Sequence, residues 1–187
     1  MIDQMKKRLL AEPSAAAAIT RILDDAIALS GAEFGTFQLP ADGELLLVES
    51  RGFKLPFLKT FRVVAADHGL ACGRTLRTLE TVLIEDTEAD AEFAPLRPVA
   101  KAAGYRSVVT TPLAVGRTLM GVVATHFANV HRPTAIELRI LEEYGAFAAT
   151  YLQELLEGEP PGELARRLND QLYARHFAAS VPLRDAS

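Results

Sequence analysis

Few side chains in this sequence could do chemistry, and their spacing limits what that chemistry is. Cys72 follows Gly69-Leu70-Ala71 at the start of an expected short helix, where a helix N-terminus would favour a thiolate. It is the only cysteine, so it can form neither an internal disulfide nor a thiolate zinc site. The plainer reading is a small buried side chain filling space. Asp86 closes a strand beside an acidic stretch and can accept a hydrogen bond from a ligand or hold a turn. Arg106 opens a strand and can grip a carboxylate or phosphate with both arms, or tie itself to Asp86 or Glu85. His126 and His131 are five apart, a poor spacing for one metal, and no third ligand is near in sequence. No metal site is expected, and His126 reads as a partly buried histidine with a satisfied ring. No Ser-His-Asp order, phosphate loop or apical carboxylate pair stands out, so catalytic machinery is not visible.

Composition narrows the partners. The chain has 187 residues, a formal charge of −4 and a pI near 5.6, which argues against nucleic acid as a partner. Hydrophobic residues make up 49%, with 30 alanines among them, and the large side chains that remain are ample for a packed core in a chain of this length. One domain of about 100–150 residues with flanking helices is the expected organisation. No apolar run approaches the roughly 18 residues of a membrane span, and no hydrophobic region follows Lys6-Lys7-Arg8. The expected location is therefore cytoplasmic, away from membranes.

The elements that must position these residues are legible in the pattern. Ile19, Ile22, Leu23, Ala26 and Ile27 form a helical stripe, capped by Ser14 and stopped at Ser30-Gly31. Residues 34–39 and 44–50 form a hairpin about Pro40-Ala41-Asp42-Gly43. Residues 57–64 read as a further strand, and 70–78 as a short helix whose start is marked by Asp67-His68-Gly69. A strand over 81–85 leads to a helix over 95–103, closed by Gly104 in a left-handed conformation. Strands over 106–114 and 118–127 follow, apolar on both sides and hence central. Thr134 and Glu137 form a capping box for the last long helix, which Gly158-Glu159-Pro160-Pro161-Gly162 breaks. A weaker helix spans 163–177. This order lacks the alternation of a parallel sheet and predicts an α+β fold. Its central antiparallel sheet carries the first and last helices on one face, and loops and short helices on the other.

In that order the residues resemble GAF domains. Ser30-Gly31-Ala32-Glu33-Phe34-Gly35-Thr36 with Ser50-Arg51-Gly52-Phe53 is similar to their opening hairpin. Gly69-Leu70-Ala71-Cys72-Gly73 resembles their GxCG turn, and Val82-Leu83-Ile84-Glu85-Asp86 their VxVED strand. Ala102-Ala103-Gly104-Tyr105-Arg106-Ser107-Val108 with Thr111-Pro112-Leu113, then Leu119-Met120-Gly121-Val122 with His126-Phe127, complete the series. The likeness covers residues 15–157, with 1–14 a helical lead-in and 158–187 a partly helical extension. It implies a PAS-like sensory or regulatory domain that binds a small molecule or dimerises; with no kinase, cyclase or DNA-binding segment read in this sequence, the domain is expected to stand alone and to signal through dimerisation or a partner protein.

The resemblance names no ligand or cofactor. The Asn-Lys…Asp-Glu signature of cyclic-nucleotide binders is missing, and Cys72 is followed by Gly73 where bilin binders place histidine. GAF-fold reductases of free methionine sulfoxide use several cysteines, so a thiol reductase built on Cys72 would need an outside reductant. A ligand-free dimerisation scaffold is the third reading. The expected pocket lies between the sheet and the loop side, lined by Phe61, Cys72, Asp86, Phe93, Arg97, Arg106, Ser107, Thr125 and Phe127. A homodimer is expected through the first and last helices. Leu141, Tyr144, Ala148, Tyr151 and Leu155 make one seam, and Ile136, Ile140, Phe147 and Leu152 a second stripe. The competing cover for that second stripe is residues 163–177 folding back.

Overall fold

The computed structural model describes residues 1–66 and 69–180, so the Asp67-His68 helix mark lies outside the described residues. Helix α1 (Ile2–Leu9) precedes α2 (Ala15–Ser30), whose Ser14 cap accepts from the Ala17 amide at 3.2 Å. Gly31, at φ 68°, ends α2 in the left-handed region, which a residue without Cβ enters freely. Strands β1 (Phe34–Ala41) and β2 (Glu44–Arg51) are joined by Asp42 and Gly43 alone. Their φ values of 53° and 82° match the tight hairpin turn that suits the strand twist.

The expected strand over 57–64 is corrected. Residues Leu55–Thr60 form a short helix, α3, and only Val63–Ala65 is extended, as β3. Pro56 sits in the first turn of α3, where its fixed φ is helical and its missing amide costs nothing. Helical spacing then turns Phe57, Leu58 and Phe61 into one core. Next come α4 (Ala71–Thr78), β4 (Val82–Ile84), a 3-10 turn (Ala94–Leu96) and α5 (Arg97–Ala103). Gly104 closes α5 at φ 88°, as its sequence position demands. Strands β5 (Ser107–Val115) and β6 (Thr118–Phe127), and helices α6 (Ala135–Leu155) and α7 (Gly162–Ser180), complete the described chain. Thr134 and Glu137 form the expected capping box on α6.

The strands make one antiparallel sheet in the order β3-β2-β1-β6-β5-β4. Helices α2 and α6 cover one face around Phe37, Leu39 and Val123. Helices α3 and α4 cover the other, around Leu45, Leu47, Val122 and Ala124. Neighbours along β6 thus point to opposite layers, as pleating requires.

The seam expected to join two copies is covered within one chain. Of that seam, Leu141, Tyr144 and Ala148 are buried in the helix-side core, and Tyr151 and Leu155 pack partly buried against it. The Tyr151 hydroxyl donates to the Leu10 and Glu12 carbonyls after α1. Helices α1 and α2 and strand β5 of the same chain therefore satisfy the stripe that periodicity left without a partner. Helix α7 folds back, but onto β1 and β2 rather than onto α6. Asn169 Nδ2 donates to the carbonyls of Leu47 at 2.7 Å and Arg62 at 3.2 Å.

Candidate functional site

Between the sheet and the short helices lies a small, mostly apolar pocket. Its floor is Thr36 and Gln38 of β1, Leu47 of β2, Val108 of β5 and His126 of β6. Further lining residues are Phe57 of α3, Phe61 just after that helix, Val64 of β3, and Leu70, Ala71 and Cys72 at the start of α4. Phe93 and Tyr105 close the side, and the cavity is about 30 Å³. That is room for a water molecule or two.

Local chemistry sets each wall. The Thr75 and Thr110 hydroxyls bond at 2.5 Å, which seats α4 on β5. Arg74 of α4 grips Asp90 with both arms at 3.1 and 2.7 Å, and Asp90 in turn accepts from the Phe93 amide. Arg74 is the chief cause that holds the Asp90 carboxyl below its ordinary range. This clasp carries the loop after β4 onto α4 and turns the Phe93 ring inward, where it is buried. At Gly69 a Cβ would stand 2.6 Å from the Glu92 carbonyl oxygen, so this close approach requires glycine. Phe53 and Phe57 stack at 3.6 Å, Phe57 continues to Phe61 at 4.4 Å, and Tyr105 meets His126 edge-on at 4.8 Å.

The nine residues expected to line the pocket separate into three groups. Phe61, Cys72 and Phe93 do line it. Asp86, Arg97, Arg106 and Ser107 instead fasten the loop and strand beside it. Arg106 meets both Asp86 oxygens, at 3.2 and 2.5 Å, so the ion-pair reading of Arg106 is the one observed. The Glu88 amide and then Arg106 hold the Asp86 carboxyl low. Arg97 donates to the carbonyls of Thr87 and Asp90, and the buried Ser107 hydroxyl to that of Ile84. Thr125 and Phe127 are on the opposite face. Thr125 alternates with Ala124 and His126, while Phe127 packs on Ala32 and Val109 and stacks on His131 at 3.9 Å.

Sequence reasoning missed the polar floor. Gln38 is 2% exposed and His126 5%, yet Gln38 Oε1 and His126 Nδ1 have no hydrogen-bond partner. Rings surround much of the His126 side chain, and the backbone of Ala124 is its polar neighbour. Burial pushes its pKa down to about 3 and leaves the imidazole neutral. Burial also pushes the Cys72 thiol up to about 12, and raises Tyr105, which the nearby thiol assists. The available signal was Thr36 and Gln38, two polar side chains at alternate positions of an otherwise apolar strand. Among the described residues no cluster could hold a metal ion, and no helix is long and apolar enough to cross a membrane.

Comparisons with known proteins agree with this architecture. No curated protein matches the chain. The GAF domain from an Acinetobacter phosphoenolpyruvate-protein phosphotransferase superposes with a TM-score of 0.67 at 14% identity, over 82% of this chain and 90% of that one. The free methionine-R-sulfoxide reductase of Neisseria meningitidis, solved with its substrate, gives 0.69 at 16% identity, over 84% and 89%. The GAF-B domain of DevS from Mycobacterium smegmatis gives 0.60 at 20%, over 77% and 96%. At these identities the likeness is one of fold. The family model for the GAF domain matches residues 12–153, most of the chain, and so the chain belongs to the GAF domain family.

Proposed function

We propose that this domain is a sensory or regulatory module that binds a small molecule between β1, β6 and the helices α3 and α4. The observation that carries this reading is the pair of buried, unpartnered polar atoms, Gln38 Oε1 and His126 Nδ1, on the floor of an aromatic pocket. An unmet buried polar atom costs about 1–3 kcal/mol, which a bound molecule or an ordered water would recover. Native mass spectrometry of protein purified without denaturation tests it. The expected result is a retained mass that disappears in Gln38→Leu.

A specific observation favours a second reading, the ligand-free scaffold: the cavity of about 30 Å³ is nearly filled by its own side chains. Bare protein in the native spectrum, with Gln38→Leu more stable than the parent, would select it. The thiol-reductase reading draws no support from Cys72, because a thiol pushed up to about 12 is not the thiolate such chemistry uses. Output is proposed to pass through a second copy or a partner protein. With Tyr144 and Ala148 inside the chain, the surface left for this on α6 is the outer stripe with Ile136, which is exposed, and Ile140. Sedimentation velocity of the parent and of Ile136→Glu checks that contact, and a dimer weakened by the substitution is the expected outcome.

A further inference from the structure

A second concavity lies between α3 and α5 and shares only Phe57 with the pocket on the sheet. Its walls are Pro56 and Phe57 of α3 and Val99, Ala102 and Ala103 of α5, with Phe34 of β1 beneath. Positions three and four apart share a helix face, so Val99, Ala102 and Ala103 form one apolar stripe. The space is about 520 Å³, the size of an ordinary small-molecule cleft. Both walls are fixed as they stand, and no movement is needed to open the groove. Helix α3 is held by Phe57 stacked on Phe53 and by the Tyr173 hydroxyl, which donates to the Leu58 carbonyl. Helix α5 is held by the buried Ala100 and by Arg97, which donates to the Thr87 and Asp90 carbonyls. At Gly52, φ 82°, a Cβ would stand 2.6 Å from the Phe34 ring, so glycine there leaves that ring its place on the floor. The polarity is one-sided. Among the described lining residues Lys54 alone titrates, and the one hydroxyl, Thr60, already donates to the Pro56 carbonyl. Lys54 is exposed and has no ion pair among the described residues, so the groove carries one unspent positive charge at its rim.

We propose that this groove binds a small apolar carboxylate, its hydrocarbon body between α3 and α5 and its head on Lys54. Burial of the body supplies the affinity, since the walls offer apolar contact and no hydrogen-bond partner left to meet. Lys54 supplies the selectivity by charge. One ammonium suits one negative charge, whereas a dianion finds no second cation and a cationic head meets a like charge. The walls, helices of six and seven residues, run about 9–10 Å, which suits a chain of medium length such as octanoate. This site does not depend on the pocket on the sheet, whose occupancy is read separately in the native spectrum.

Octanoate, octanol and octylamine share one body and differ in charge. Each is titrated into the full-length protein by isothermal calorimetry at millimolar concentration. Octanoate is expected to bind about threefold or more tightly than octanol, the worth of one exposed ion pair, and octylamine to bind most weakly. Lys54→Gln should bring octanoate down to the level of octanol. Ala102→Glu, which sets a carboxylate on the exposed wall, should weaken octanoate about tenfold or more. Lys7→Gln, exposed on α1 at the other face of the sheet, should change neither ligand. Both groove variants alter exposed side chains, and circular dichroism checks each fold, so either one alone places the site. Octanol binding as tightly as octanoate in the parent overturns the carboxylate class. Octanoate binding that is undiminished in folded Ala102→Glu, or that keeps its lead over octanol in folded Lys54→Gln, overturns the site. A parent that takes up no octanoate overturns the proposal outright and leaves the pocket on the sheet untouched.

Discussion

The Tyr144 hydroxyl donates to Asp25 Oδ2 at 2.7 Å, joining the middle of α6 to α2 with both side chains buried. Arg8 reaches the other oxygen at 3.4 Å, so α1, α2 and α6 meet at one carboxylate. Tyr144→Phe is expected to lower stability by about 1–3 kcal/mol, the cost of leaving that carboxylate oxygen unmet. Tyr144→Glu should give an unfolded chain and not a folded monomer, since a second carboxylate would be buried against the first. Urea unfolding followed by circular dichroism measures both.

His126 should dominate the mildly acidic pH dependence. Its folded pKa is pushed down to about 3, from about 6.5 in an unfolded chain, so below pH 6.5 the unfolded state binds a proton that the folded state refuses. Its contribution is present above pH 6.5 and is lost as pH falls toward 3. Between pH 7 and 5 the loss should be about 2 kcal/mol, at roughly 1.4 kcal/mol per pH unit. The lowered carboxyls of Asp86 and Asp90 respond only at lower pH, so they do not obscure this interval. His126→Phe should flatten the profile of the urea midpoint over that range.

Cys72 should alkylate slowly. With its thiol pushed up to about 12, the thiolate fraction at pH 8 is on the order of one in ten thousand. Iodoacetamide labelling of the folded protein is expected to run at least about a hundredfold slower than in urea. Full labelling within minutes, with the circular dichroism spectrum unchanged, would restore the thiol-reductase reading.

Gly104 has φ 88°, and a Cβ there would meet only Phe34 Cζ, at an ordinary 3.9 Å. The effect of Gly104→Val should therefore be conformational and not steric, a loss of about 1–2 kcal/mol. Differential scanning calorimetry should register it as a fall in Tm.

Asn169 ties α7 to the sheet through the Leu47 and Arg62 carbonyls. Asn169→Leu removes both donors and should loosen α7 as a unit. Hydrogen exchange across residues 162–180 is expected to quicken, with β5 and β6 unchanged.

Local chemistry alone determined much of this protein. Ser14, Gly31, Gly104, Thr134 and Glu137 act through bonds and torsions within a few residues of themselves, so the sequence marked the ends of α2, α5 and α6 directly. The apolar runs of β5 and β6 likewise revealed a sheet covered on both faces, and the ordered motifs revealed the family. Tertiary structure decided the rest, because the deciding partners are remote in sequence. Apolar periodicity at Tyr144 says that a face is covered but not by what, and the answer lies 119 residues away at Asp25. Arg106 is exposed or engaged according to where the loop carrying Asp86 returns. The same holds for Thr125 and His126: adjacent in the chain, they are sent to opposite layers by the pleat, so only the pairing register decides which of them meets the pocket.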